Sequence, residues 1–202
     1  MGICYLVGAG DFYGQITKCD GDIIIAADGG YDSLLGHGYA PDLLIGDFDS
    51  LVSDIPDTVE TVRHPKEKDE TDMFLAYAEG VMRGYTEFVM LGATGGRLDH
   101  TYANLSLLLY AKERGHNVTV MDKHGIILCL KNEAITLAGE AGKLFSVFAI
   151  GGEARGVTIL GAKYEAESVT LSPSFPLGVS NEFTDSDARI AVEDGALLVI
   201  AE

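Results

Sequence analysis

Short apolar runs alternate with helical patterns through the first half of the chain. Residues 3–7, 23–27, 43–45, 88–91 and 118–121 are brief, continuous and apolar, with β-branched side chains prominent. Such runs suit strands buried on both faces of a mostly parallel sheet. Between the later strands, 71–83 places Met73, Ala76, Tyr77 and Gly80 on one face at helical spacing, with Gly84 as a stop. A second helix is predicted over 100–114, with Leu105, Leu108 and Leu109 inward and Gly115 as its C-terminal cap. The recurrence of strand, loop and helix favours an α/β layer. Beyond about residue 130 the texture changes. Strand-length patterns at 144–150, 157–160, 168–171 and 189–200 are separated by Gly, Pro and Ser, with no long helical period. Within the last of these, Asp194-Gly195 predicts a type I′ hairpin turn. The pattern therefore predicts an α/β N-terminal domain with a mostly parallel sheet over 1–130 and an all-β, sandwich-like C-terminal domain over 131–202.

Composition narrows the classes of function. The 202 residues are 47% hydrophobic, enough to bury a core, and carry a net charge of −17 from 31 acidic against 14 basic residues. No Lys/Arg run could track a nucleic-acid backbone, so no nucleic-acid partner is expected. Much of the acidity serves solubility. A phosphorylated substrate would still be repelled unless a divalent metal and local basic groups reversed the field at its site. Cys4, Cys19 and Cys129 are odd in number and widely spaced, which disfavours a disulfide framework or a zinc site and fits a reducing cytoplasm. The apolar run at 3–7 is too short for a signal peptide, and no stretch approaches the ~18 apolar residues of a membrane span. A cytoplasmic protein with no membrane partner is the expectation.

Four clusters combine carboxylates with turns: Asp28-Gly29-Gly30, Gly46-Asp47-Phe48-Asp49-Ser50, Lys68-Asp69-Glu70-Thr71-Asp72 and Gly95-Gly96-Arg97-Leu98-Asp99-His100. The first two directly follow predicted strands, and the Gly92-Ala93-Thr94-Gly95-Gly96 turn that leads into the fourth does the same, at the carboxyl edge where open α/β sheets bind ligands. Carboxylate oxygens suit Mg²⁺, glycines let backbone N–H groups approach an anion, and Arg97 can chelate phosphate through its planar fork. Asp47 and Asp49 can aim two carboxylates at one metal, and Ser50 could add a hydroxyl; a surface turn would use the same residues. Asp69, Glu70 and Asp72 also answer the positive end of a helix, with Asp69 a candidate N-cap. Lys66 and Lys68 beside them make a phosphate-and-metal reading more favourable. Asp99 could equally be an N-cap. The Gly92-to-Asp99 segment lacks the Lys-Ser/Thr end of a P-loop, and Gly8-x-Gly10 fits a tight backbone loop better than a dinucleotide fingerprint.

In this order, and joined by a late Gly178-Val179-Ser180-Asn181-Glu182, the motifs resemble the bacterial-type thiamine pyrophosphokinase family. The resemblance runs from Asp28 nearly to the C-terminus. It implies transfer of the β,γ-pyrophosphoryl group of ATP to the hydroxyl of thiamine, giving thiamine diphosphate and AMP. It also implies Mg²⁺ on Asp47, Asp49 and Asp72, and an ATP site shaped by Asp28, Lys68, Asp69, Thr94, Arg97 and Asp99. Asp47, Asp49, Asp72 and Arg97 would be the catalytic set, with Arg97 and Lys68 neutralising charge. Ser180 and Asn181 would face thiamine from the β domain of a homodimer whose active sites lie at the subunit interface. The chain has no tryptophan, whereas some members place one against the thiamine rings; stacking is left to Phe183, to another residue, or to none. A hydrolase passing the same group to water, or a non-catalytic Ca²⁺-binding module, would reuse the acidic loops. Thiamine-dependent AMP formation and Mg-ATP binding separate these three readings.

Overall fold

The computed structural model describes residues 2–49, 51–67 and 69–202, and these form two compact units. The fold is mostly sheet, with three helices among the described residues.

The first unit comprises residues 1–108 and 115–123. In chain order it contains β1 (Cys4–Val7), β2 (Ile23–Ala27), α1 (Gly30–Gly36), β3 (Leu43–Gly46), β4 (Glu60–Arg63), α2 (Asp72–Met82), β5 (Glu87–Leu91), α3 (Leu98–Lys112) and β6 (Asn117–Asp122), with the last turn of α3 grouped in the second unit. Its strands pair in the order β6-β5-β1-β2-β3-β4, every pair parallel. Alternating side chains of β1 serve opposite faces, as the pleat requires. Tyr5 and Val7 join a buried cluster with Tyr31 and Leu34 of α1, while Cys4 lies close beneath Gly80 of α2. The four inward positions expected on α2, Met73, Ala76, Tyr77 and Gly80, are all buried.

Because β1 has β2 on one side and β5 on the other, the chain reverses its direction of winding between β1 and β5. The loops leaving their carboxyl ends therefore diverge and open a crevice, the usual ligand position in such sheets.

The second unit comprises residues 109–114 and 124–202. It contains β7 (Gly125–Lys131), β8 (Ala134–Leu137), β9 (Leu144–Ala149), β10 (Ala154–Leu160), β11 (Ala166–Leu171), β12 (Asn181–Glu182), β13 (Ala188–Ala191) and β14 (Ala196–Ala201). All of its strand pairs are antiparallel, in the orders β12-β9-β14-β7 and β11-β10-β13-β8. Phe145, Val147, Leu197 and Val199 from the first group meet Val157, Ile159 and Ile190 from the second in one hydrophobic core.

Here the hairpin predicted at Asp194-Gly195 is corrected. β13 pairs with β10 and β8, whereas β14 pairs with β7 and β9. The Asp-Gly corner carries the chain from one strand group to the other. Asp194 O accepts from Arg155 N at 2.7 Å, and Gly195 N donates to Asn132 Oδ1 at 2.9 Å, so neighbouring loops take the groups a hairpin would have paired. No described helix is long and apolar enough to cross a membrane.

Candidate active site

A cavity of about 350 Å³ opens at the crevice between β1 and β5, lined by segments from five elements of the first unit. Gly8 to Gly10 follow β1, Asp28 follows β2, Thr71 and Asp72 open α2, Gly92, Ala93 and Gly95 to Arg97 lead from β5, and His100 and Asn104 come from α3.

The floor is two loops laced together through backbone. Gly8 N donates to Leu91 O, Gly10 N to Gly92 O and Asp11 N to Thr94 O, each at 2.9 Å. This spacing leaves no room for side chains: a Cβ on Gly10 would lie 2.2 Å from Thr94 O, and one on Gly92 would lie 2.3 Å from Gly8 O. Gly8 and Gly10 thus form the tight backbone loop expected of them, and that loop borders the cavity.

Asp28 sits where β2 turns into α1, in the left-handed region at φ 44°. Its N–H donates to Ile45 O at 2.7 Å, and Gly46 alongside packs so closely that a Cβ there would lie 3.1 Å from Asp28 Cα. Asp72 stands in the first turn of α2, where the helix dipole favours a carboxylate. The N-cap of α2 is Thr71, whose Oγ1 accepts from Phe74 N at 3.2 Å. This corrects the expectation that Asp69 caps the helix: Thr71 has the extended backbone (φ −74°, ψ 153°) that a cap requires, and Asp69 is exposed two residues upstream.

Arg97 and Asp99 form a two-point ion pair, Nε to Oδ1 at 3.1 Å and Nη2 to Oδ2 at 2.6 Å. The hydrogen bonds from the guanidinium, helped by His100 N at 3.0 Å, hold the Asp99 carboxyl down to about 2. Asp99 lies inside the first turn of α3 and is not its N-cap. The pair is exposed, so Arg97 can exchange Asp99 for another anion at little cost in stability.

Thr94 plays a different part from the one expected. It is buried, and its hydroxyl donates to Asp122 Oδ2 at 2.6 Å, fixing the loop from β6 instead of facing the cavity. Asp47 and Asp49 follow β3 outside the cavity lining. Asp49 N donates to Asp47 Oδ1 at 3.0 Å, Phe48 between them has φ 66°, and Arg63 lies 4.8 Å over the Phe48 ring. Lys66 Nζ is 3.8 Å from Asp49 Oδ2. Ser50 and Lys68 lie outside the described residues.

Among the described residues no three His, Cys, Asp or Glu side chains are gathered as a metal-binding group. The structure therefore does not assemble Asp47, Asp49 and Asp72 into one cage. The donor chemistry nevertheless fits Mg²⁺, which takes oxygen ligands and binds through one or two carboxylates together with substrate phosphates.

In the second unit, Ser180 is exposed at φ 59°, with its N–H donating to Ser146 Oγ at 3.1 Å. Asn181 is buried, and its amide is already occupied: Oδ1 accepts from Tyr164 N at 3.0 Å and Nδ2 donates to Tyr164 O at 2.8 Å. Phe183 is only 2% exposed, its ring centroid 4.7 Å from that of Phe145. Its ring is core, so the expectation that it offers an open face for stacking is not met. Asn104 was given no site role from sequence, although Asn104-Leu105 follows the Gly-Gly-Arg-Leu-Asp-His motif in the pattern that carries the family resemblance; the spacing of an amide on a helix does not say what it holds.

Fold and site together define a doubly wound α/β unit with a glycine-walled, partly acidic cavity at its switch point, linked in sequence to an antiparallel β unit. Two family models match the chain. The "Thiamin pyrophosphokinase, catalytic domain" covers residues 17–120, and the "Thiamin pyrophosphokinase, vitamin B1 binding domain" covers 129–197. The chain belongs to the thiamin pyrophosphokinase family. It is 26% identical over 182 residues to thiamine pyrophosphokinase of Bacillus subtilis strain 168, covering 87% of this chain and 85% of that protein. The crystal structure of thiamin pyrophosphokinase from Geobacillus thermodenitrificans superposes with a TM-score of 0.82 at 26% identity, over 99% of this chain and 97% of that one. That of thiamine pyrophosphokinase from Bacillus subtilis gives 0.88 at 23% identity, over 100% and 99%, a likeness of fold.

Proposed function

We propose that the cavity at the β1/β5 switch point holds ATP while its pyrophosphoryl group passes to thiamine. As a member of its family the chain is an enzyme that makes thiamine diphosphate by ATP-dependent pyrophosphoryl transfer; the nucleotide product of such a transfer is AMP. One observation carries the placement: a single cavity collects two glycine-rich turns, the acids Asp28 and Asp72, and Arg97. Glycine turns and a planar cation suit a polyphosphate, and phosphoryl-type transfer needs positioning and charge neutralisation more than a covalent nucleophile.

In this reading residues 1–130 form the catalytic domain and 131–202 a sandwich-like thiamine-binding domain. Arg97 exchanges Asp99 for phosphate oxygens, and Asp28, Asp69 and Asp99 border the nucleotide. Thr94 supports the turn from behind, and Lys68 adds a second cation. Asp47, Asp49 and Asp72 would hold Mg²⁺, which supplies positive charge against the triphosphate in a chain of net charge −17. Ser180 offers a hydroxyl to thiamine, with Asn181 and Phe183 shaping the backbone that presents it. The working form is a cytoplasmic homodimer with active sites at the subunit interface.

The test is incubation with ATP, Mg²⁺ and thiamine, with a control lacking thiamine, and resolution of products by mass. Thiamine diphosphate and AMP should appear together. Thiamine monophosphate with ADP, or AMP released without thiamine, would refute the reaction. Asp72→Ala and Arg97→Ala should lower turnover sharply with the fold intact; near-normal turnover in both would move the site elsewhere.

A further inference from the structure

Three successive carbonyls leave β5 at the cavity: the loop after β1 holds the first and third through its backbone, and α3 holds the second. Gly92 O accepts from Gly10 N and Thr94 O from Asp11 N, both at 2.9 Å. The carbonyl between them, Ala93 O, has a side-chain partner instead: Asn104 Nδ2, one turn and a half into α3, at 2.7 Å. Both Ala93 and Asn104 line the cavity, and they are 3% and 8% exposed. The amide orientation follows from chemistry, since only the NH₂ end can face a carbonyl oxygen.

From this geometry we infer that Asn104 is a positioning residue for nucleotide binding. By holding Ala93 O it sets the conformation of the turn that delivers Gly95, Gly96 and Arg97 to the cavity. The inference rests on the proposed ATP site and deepens it. An unpaired Ala93 carbonyl would bring a negative dipole toward the space assigned to phosphate and let the turn relax. Gly95 at φ 80° and Gly96 at φ 60° follow immediately and have the conformational freedom to relay such a shift to Arg97.

Two variants of similar size separate the donor from mere bulk and charge. Asn104→Leu is neutral and cannot donate. Asn104→Asp cannot donate while ionised, but donates once protonated. Titration calorimetry with Mg-ATP, without thiamine, should show affinity falling about tenfold or more for Asn104→Leu at every pH. Asn104→Asp should be as weak at pH 8 and recover toward wild type as pH falls to about 5, where a partly buried carboxyl regains its proton. Hydrogen exchange of residues 92–97 in the nucleotide-free protein should quicken in both variants at pH 8, while exchange in β1 and β2 stays slow, which also shows that the variants fold. Wild-type affinity and exchange in Asn104→Leu would overturn the inference. So would an Asn104→Asp protein at pH 5 no better than Asn104→Leu, because the donor would then be irrelevant. Failure of the site itself looks different: Arg97→Ala and Asp72→Ala would be as silent toward Mg-ATP as Asn104→Leu. The nucleotide role of Asn104 would then fall with the site, whatever exchange at 92–97 showed.

Discussion

Gly80 sets two effects of known size against each other. It lies inside α2, where exchanging Gly for Ala normally stabilises by about 1 kcal/mol through reduced backbone entropy in the unfolded chain. Here a Cβ would meet Phe88 Cε1 at 2.7 Å and Cys4 Sγ at 2.9 Å, well inside the ~3.5–4.0 Å of a favourable contact. Neither neighbour has room to retreat. Cys4 and Phe88 are buried on adjacent strands β1 and β5. The Phe88 ring is also boxed by Tyr77 and His116, at centroid distances of 5.0 Å and 6.1 Å. Overpacking of this kind costs about 1–3 kcal/mol, and with both neighbours fixed it should reach about 2–3 kcal/mol; after the gain in helix propensity is subtracted, Gly80→Ala should be about 1–2 kcal/mol less stable. At roughly 2–4 °C per kcal/mol for a chain of this length, calorimetry should show melting lowered by about 2–8 °C. Gly36→Ala is the control: it closes α1 in open space, with nothing within 4 Å of its Cβ, and should be neutral or stabilising. A Gly80→Ala protein that melts above wild type would refute the packing argument, because helix propensity would then have outweighed the clash.

Other outcomes follow from the same structure. Phe183→Ala should destabilise the protein by about 3–5 kcal/mol, because it empties a core position against Phe145; unchanged melting with a raised KM for thiamine would restore Phe183 as a ligand-facing ring. Asp99 should titrate near 2 by carbon-detected NMR, and move up toward its ordinary value of about 4 in Arg97→Ala. Since its pKa is depressed in the folded state, the pair's contribution is complete above the ordinary carboxylate pKa and is lost only as pH falls toward 2; a wild-type midpoint near 4 would mean that the ion pair does not form in solution. Burial pushes the Cys4 thiol up to about 12 and Cys129 to about 11, while Cys19 is exposed. Iodoacetamide at pH 8 should therefore label Cys19 alone in the native protein and all three cysteines in denaturant, as peptide mass spectrometry would report. Rapid native labelling of Cys4 would contradict its burial.

Local pattern by itself determined the elements whose stabilisation is local or whose burial is complete. β2 occupies the five apolar residues 23–27 that the sequence marks, and α2 buries the four positions its spacing puts inward. The turns after β2, β3 and β5 were legible too, because glycine and aspartate mark positions of unusual φ, and the order of the motifs made the family recognisable. β4 was not legible: its residues Glu60–Arg63 are mostly exposed and carry no apolar pattern, and they are a strand because β3 offers them a parallel edge. Asp194-Gly195 misled for the complementary reason. A two-residue hairpin would bury β13 and β14 side by side, but each finds more partners in a separate strand group, and Arg155 and Asn132 satisfy the corner. Side-chain direction was beyond sequence in the same way. Thr94, Asn181 and Phe183 were singled out by their motifs, yet Asp122, Tyr164 and Phe145 decide that they act from behind the surface. Those partners lie 28, 17 and 38 residues away along the chain, and only the packing of strands and helices into a shared core brings such distant groups within hydrogen-bond or van der Waals reach.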